Sequence, residues 1–364
     1  MTSRERVLLT VNHQVPDRIP IDFWATAGMV RKLESELGVS YQDFVDGHGV
    51  DLRYVAGPEY IGPPLIGERP GESIDIWGVA RKVVEIRVAG GVERYSEVAR
   101  SPLAGAATVE EALGYERWPS PDRFDYSVIE RQCDEVLRQG RAVAFMGDRL
   151  NRVSQLKPAL YLRGDEQFLT DMAVSPELAR AIIGKIRVFY LGYLERILEA
   201  AEGKIDVLVS GDDFGIQQGL LVSAQMWDEF LRDGFAAYTG LVKSHGVKTM
   251  HHSCGSVAPL IPRLITCGLD ILQSLQPEAR GMDISDLKAK HGSQLAFQGG
   301  VSIQRTMPFG TPEGIRAEVK NLAEAAGKGG GYIFGTAHNL QADVPVENVQ
   351  ALMRAYHEYG QYAA

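Results

Sequence analysis

The stretch Val247-Lys-Thr-Met-His-His-Ser-Cys-Gly255 closes an apolar run with two histidines, a serine and a cysteine. Val247 to Met250 reads as a short buried strand. Side chains of an extended chain alternate faces with period two. His252 and Cys254 therefore share a face, and His251 takes the other. An imidazole nitrogen and a thiolate on one face can bind a single metal ion, zinc first. Gly255 then allows a tight turn. Two ligands do not make a site, because single buried histidines and cysteines are ordinary core residues.

A third ligand is available in Gly335-Thr-Ala-His-Asn-Leu-Gln-Ala-Asp-Val-Pro-Val-Glu-Asn348. His338 follows an apolar run, as Cys254 does. His252, Cys254 and His338 together would fill three zinc positions and leave a fourth open, as catalytic zinc requires. The alternative role for His338 is acid–base or binding chemistry without metal. Asn339 and Gln341 are expected to hydrogen-bond around it, with Asn339 also in reach of a substrate. In Ser210-Gly-Asp-Asp-Phe-Gly-Ile-Gln-Gln218, two carboxylates stand beside a glycine. Asp213 is expected to act in catalysis. Asp212 either binds substrate or caps backbone amides. Trp24 and Tyr60 can wall a pocket, although aromatic side chains more often pack. Glu59 either binds or caps a turn, and Gln304 follows a glycine-bearing run, Phe297-Gln-Gly-Gly-Val301. Gly327-Lys-Gly-Gly-Gly331 lacks the spacing of a phosphate loop and reads as a turn.

These residues need elements that bring them together. Helical periodicity covers residues 2–10, 30–37, 41–47, 126–139, 176–201, 312–327 and 346–359. Apolar runs between helical stretches read as strands near 19–24, 50–55, 142–147, 206–211, 247–251, 269–274, 294–298 and 331–335. Such alternation fits a closed (β/α)8 barrel spanning residues 1–364, with an open doubly wound sheet as runner-up. The barrel is preferred because Trp24, Glu59, Asp212, Asp213, His252, Cys254, Gln276, Gln304, His338 and Asn339 all follow strand ends. In a barrel those ends meet at one mouth. Residues 65–100 differ. Short β runs around Gly90-Gly91 indicate an antiparallel insertion in one loop.

Composition narrows the class. The chain has 364 residues, net charge −9 and pI near 5.5, so a nucleic-acid or anionic-membrane surface is not expected. No apolar stretch reaches spanning length, and the first residues lack the apolar run of a signal peptide. Cys133, Cys254 and Cys267 are an odd, scattered set, which fits a reduced cytoplasmic protein acting on a small molecule.

Nearly the whole chain resembles the uroporphyrinogen decarboxylase superfamily. The resemblance rests on His252-Ser-Cys-Gly255, Phe297-Gln-Gly-Gly-Val301, Gly310-Thr-Pro-Glu313, and Gly331-Tyr-Ile-Phe-Gly335 through Pro345-Val-Glu-Asn348. It implies a TIM-type barrel and one of two chemistries. One branch decarboxylates porphyrinogen acetates without a cofactor. The other uses zinc to move a methyl group from a corrinoid carrier protein to a thiol. Decarboxylases carry an arginine-rich Met-Arg-Gln-Ala-Gly-Arg run after the first strand. Here that place reads Trp24-Ala-Thr-Ala-Gly-Met29, without a carboxylate clamp. Arg149 and Arg152 are the basic residues that could replace it. In the methyltransferase branch, His-x-Cys is joined by a distant cysteine, whose place His338 takes here. The expected function is zinc-dependent methyl transfer between a corrinoid and a small acceptor such as a thiol. The alternatives are a carboxy-lyase and a non-catalytic binder.

Overall fold

The computed structural model describes residues 1–89, 91–147 and 152–362. Arg149 and the Gly90 half of the expected hairpin turn lie outside the described residues. Seven parallel strands form one curled sheet in chain order: Leu52–Val55, Ala142–Phe145, Val207–Gly211, Lys248–His252, Ile271–Leu275, Ala296–Gly299 and Tyr332–Ile333. The helices between them cover its outer face, as parallel sheets require.

The expected first strand closes this sheet in reduced form. Ile21 bridges Phe334 in parallel. Phe334 N–H donates to the Pro20 carbonyl at 2.7 Å, and Asp22 N–H donates to the Phe334 carbonyl at 2.9 Å. On the other side Asp51 N–H donates to the Ile21 carbonyl at 2.9 Å. These bonds join both edges of the sheet, which excludes the open-sheet alternative. The segment makes bridges rather than a full ladder because Pro20 has no N–H to give.

Inside the barrel, Leu52, Ala142, Ala144, Val207, Val209, Met250, Ile271, Ala296 and Ile333 form an apolar core. Val7 and Val11 of the helix Ser3–Val11 join it. Period-two alternation then decides what lies further along each strand. Met250 is inward, so His252 is inward too. His251 is outward and packs between Phe214 and Phe235, at ring separations of 5.0 and 4.9 Å. Tyr54 follows Leu52, Gln273 follows Ile271 and Gln298 follows Ala296. The C-terminal layer of the interior is therefore polar, above apolar layers.

The antiparallel insertion consists of Glu72–Ile74, Ala80–Val88 and Gly91–Arg100. It leans on the mouth. Glu93 is buried there and accepts hydrogen bonds from Thr26 Oγ1 at 2.6 Å and from Ala342 N–H at 2.7 Å. Gln341 donates to the Tyr95 hydroxyl at 2.8 Å, so its amide holds the insertion rather than His338.

Candidate metal centre

His252, Cys254 and His338 converge at the mouth, with one candidate ligand atom from each within 4.8 Å of the others. The strand aims His252 inward, and a turn at Gly255 swings Cys254 back beside it. Gly255 has φ +77°, and a Cβ there would stand 2.5 Å from the Gly215 backbone. Only glycine meets both conditions. The Cys254 thiol faces His252 Nε2 at 3.5 Å. The His338 ring stands edge-on to that of His252, 5.2 Å away.

A partner sets the tautomer of each histidine. His252 Nδ1–H donates to Gln273 Oε1, so Nε2 keeps its lone pair toward the thiol. Asn339 N–H donates to His338 Nδ1 at 2.8 Å, which puts the proton of that neutral ring on Nε2. His252 and Cys254 thus fit a zinc ion as they stand. His338 fits once its proton changes nitrogen and the Asn339 bond is given up.

The electrostatics keep both inner ligands neutral. Burial, reinforced by Arg152, holds His252 well below the usual imidazole range. Burial, then the Asp213 carboxylate, pushes the Cys254 thiol up to about 12. Burial opposes ionisation of Asp213, but the Lys157 ammonium, 2.7 Å away, and His252 outweigh it and hold the carboxyl low. Asp213 Oδ1 lies 3.7 Å from His252 Nε2 and accepts the Cys254 N–H at 3.0 Å. A bound cation would meet one fixed anion and one thiol that must lose its proton.

Trp24 walls the site as expected. Its ring is stacked on His252 at 6.0 Å, and the Arg152 guanidinium lies over it at 5.8 Å. Its indole N–H donates to the Tyr54 hydroxyl at 2.9 Å, which in turn donates to the buried Asp22 at 2.5 Å. Gln304 reaches the rim, where its Oε1 accepts from Gln217 at 3.4 Å. Asn339 contributes its backbone amide, and its side chain does not line the cavity beside Cys254.

Three expected substrate contacts are corrected. Asp212 is buried and accepts the amides of Gln155, Leu156 and Lys157 at 2.6, 3.0 and 2.7 Å. It caps the helix Leu156–Arg163, leaving no lone pair aimed at the mouth. Glu59 and Tyr60 form a two-residue strand paired with Phe124–Asp125. Glu59 is exposed, and Tyr60 donates to the Pro63 carbonyl at 3.1 Å. The Gly57-Pro58 turn carries both away from the metal ligands.

Residues not anticipated complete the site. Gln273 orients His252, and Lys157 pairs Asp213. Ser274 has φ +77° at a bulge between Gln273 and Leu275. Its hydroxyl donates to the Ala337 carbonyl at 2.7 Å and lies 3.7 Å from the Cys254 sulfur. A serine held there costs about 1–3 kcal/mol, and such strain gathers at functional sites.

A closed parallel barrel with its polar groups at the C-terminal mouth is the architecture of a TIM-barrel enzyme. The uroporphyrinogen decarboxylase (URO-D) family profile matches residues 156–359, and the chain belongs to that family. A uroporphyrinogen decarboxylase from Pseudoalteromonas translucida is 38% identical over 86 residues, 22% of this chain and 24% of its own length. Another, from Pseudomonas fluorescens, is 26% identical over 191 residues, 50% of this chain and 49% of its own. The chain thus spans between about a quarter and half of the length of these curated relatives. A solved methyltransferase from Methanosarcina mazei shares the fold throughout, with TM-score 0.68, 18% identity and 99% coverage of both chains. No helix among the described residues is long and apolar enough to cross a membrane.

Proposed function

We propose that this chain holds one zinc ion on His252, Cys254 and His338 and moves a methyl group between a corrinoid, carried by a partner protein, and a small thiol acceptor. The carrying observation is the 3.5 Å separation of His252 Nε2 and Cys254 Sγ. Tetrahedral zinc with bonds of about 2.0–2.3 Å places an N and an S ligand roughly 3.6 Å apart. Zinc bound here would lower the pKa of an acceptor thiol, so that its thiolate exists at neutral pH.

The chain's own residues do the rest. Gln273 keeps the His252 proton on Nδ1 and the Nε2 lone pair free for the metal. Cys254 releases its proton on metal binding. His338 yields its bond to Asn339. Asp213, held by Lys157, fixes the Cys254 backbone and supplies the negative charge beside His252. Trp24 walls His252 from one side. The corrinoid performs the harder chemistry, and the barrel seats and activates the acceptor.

One observation favours a carboxy-lyase instead: Arg152 reaches the mouth beside Trp24. A single arginine is a poor match for a substrate with many carboxylates, and the run after Trp24 adds none.

Metal analysis of protein purified without chelator or nickel tests the reading. Zinc at one per chain is expected. Cys254→Ala should abolish metal binding and transfer, and Cys267→Ala should affect neither. Protein that holds no zinc and gains no activity from added zinc would overturn the metal reading and leave His338 as an acid–base residue. A His338→Ala protein that binds ligand without turning it over separates enzyme from binder.

A further inference from the structure

A cavity of 420 Å³ opens beside Cys254 and His338. Gln217, Gln276, Gln304 and Ile303 are among its walls, and none of its described lining residues is Asp, Glu, Lys or Arg. Its volume is at the lower end for small-molecule sites.

The nearby charges are committed elsewhere. Lys157 is paired with Asp213. Arg305 lines a separate cavity of 540 Å³. Arg152 lies over Trp24 and lines no part of the Cys254 cavity. An acid-bearing ligand would leave its water here without gaining a counter-charge.

The carboxamides, by contrast, are arranged for use. Gln276 is almost wholly buried, and its Oε1 accepts the Gly255 N–H at 3.1 Å. That bond fixes the side chain and leaves its NH₂ as the donor for a ligand. Gln217 and Gln304 meet at the rim through Gln217 Nε2–H and Gln304 Oε1. This leaves one acceptor oxygen on Gln217 and one NH₂ on Gln304. Donors and an acceptor set in apolar walls select an uncharged tail that both accepts and donates hydrogen bonds.

We infer that the acceptor seated beside Cys254 is an electrically neutral thiol with an amide-like or hydroxyl tail, and not a sulfonate- or carboxylate-bearing thiol. The inference rests on the thiol-acceptor reading above and deepens it.

The test is calorimetric titration of the zinc-loaded and the metal-free protein with two thiols of similar reach, N-acetylcysteamine and 2-mercaptoethanesulfonate. The amide thiol is expected to bind about 30-fold tighter in both forms, the worth of two net hydrogen bonds. Gln276→Leu should weaken the amide thiol by about five- to tenfold and leave the sulfonate unchanged. Equal or tighter binding of the sulfonate overturns the proposal, and so does failure of the protein to bind either thiol. A third probe, N-acetylethanolamine, isolates the sulfhydryl. If it binds zinc-loaded protein as well as the amide thiol does, the thiol-acceptor reading fails, while the preference for a neutral tail stands.

Discussion

Gln273→Leu separates the role of one buried side chain in metal binding from its role in packing. Gln273 is fully buried, its Oε1 accepts the His252 Nδ1–H, and its Nε2 has no partner. Leucine fills a similar volume. The lost bond leaves the His252 N–H unsatisfied, at a cost of about 1–3 kcal/mol. Removing the unpartnered NH₂ returns a similar amount. The two effects oppose each other, so the net stability change should be within about 1 kcal/mol, or roughly 3 °C in melting temperature. Metal affinity has no such compensation. The ring is free to carry its proton on Nε2, and loss of an orienting partner weakens metal binding by about 10–100-fold, or roughly 1.4–2.7 kcal/mol. Zinc competition against a chromophoric chelator reads the affinity, and thermal melting of the metal-free protein reads the stability. Unchanged affinity would show that Gln273 does not set the tautomer. A melting point lowered by about 8 °C or more would make the residue structural.

Three further outcomes are expected. Asp213→Asn should lower activity about tenfold or more at nearly unchanged stability, because its ion pair with Lys157 is half-exposed and worth about 1 kcal/mol or less; a collapsed melting point with normal activity per folded molecule would mark Asp213 as structural. Gly255→Ala should cost about 3 kcal/mol or more and displace Cys254, since its Cβ would strike the Gly215 backbone at positive φ; denaturant melts and zinc content within error of wild type would refute this. Asp22 is raised to about 6 by burial, against its ordinary 3.8, despite hydrogen bonds from Tyr54 and Phe23. The folded state therefore holds this proton more tightly, and the resulting stability is full below about pH 4 and lost as pH rises through 6, about 3 kcal/mol in all. Asp22→Asn should flatten that part of the pH–stability curve in urea titrations from pH 4 to 7, and a constant offset from wild type would show that Asp22 ionises normally.

Alternation along Lys248–His252 was legible in the sequence, because an apolar Met250 must face the core and carries His252 with it. The shared mouth was legible because polar residues followed each apolar run. The same rule misplaced Glu59 and Tyr60. Their strand ends at Val55, and the Gly57-Pro58 turn redirects the chain before they arrive. Asp212 and Asp213 are adjacent, and alternation gives them opposite faces without saying which faces in. The three amides that claim Asp212 belong to a helix more than fifty positions earlier. Gln273 and Ser274 had a signal that was passed over: two polar residues inside the buried run Ile271–Leu275. The left-handed backbone of Ser274 had none, since serine does not mark that conformation. Pro20 was visible throughout, and its missing N–H explains the thin first strand.

The thin first strand also governs how the molecule assembles. The barrel seam joins the two ends of the chain: Tyr356 donates from the last helix to the Ile19 carbonyl, 337 positions away, and Gln298 reaches Asp22 across 276. Neighbouring strands elsewhere in the sheet can pair as the chain emerges, but the seam has no partner until the last helix exists. Closing so long a loop costs entropy before any contact returns it. Seam closure is therefore the last step of folding, and until it happens the polar layer carrying His252 lies open along one side. A nascent or truncated chain lacking the last helix would hold a half-open sheet with one edge exposed, the kind of edge on which chains aggregate.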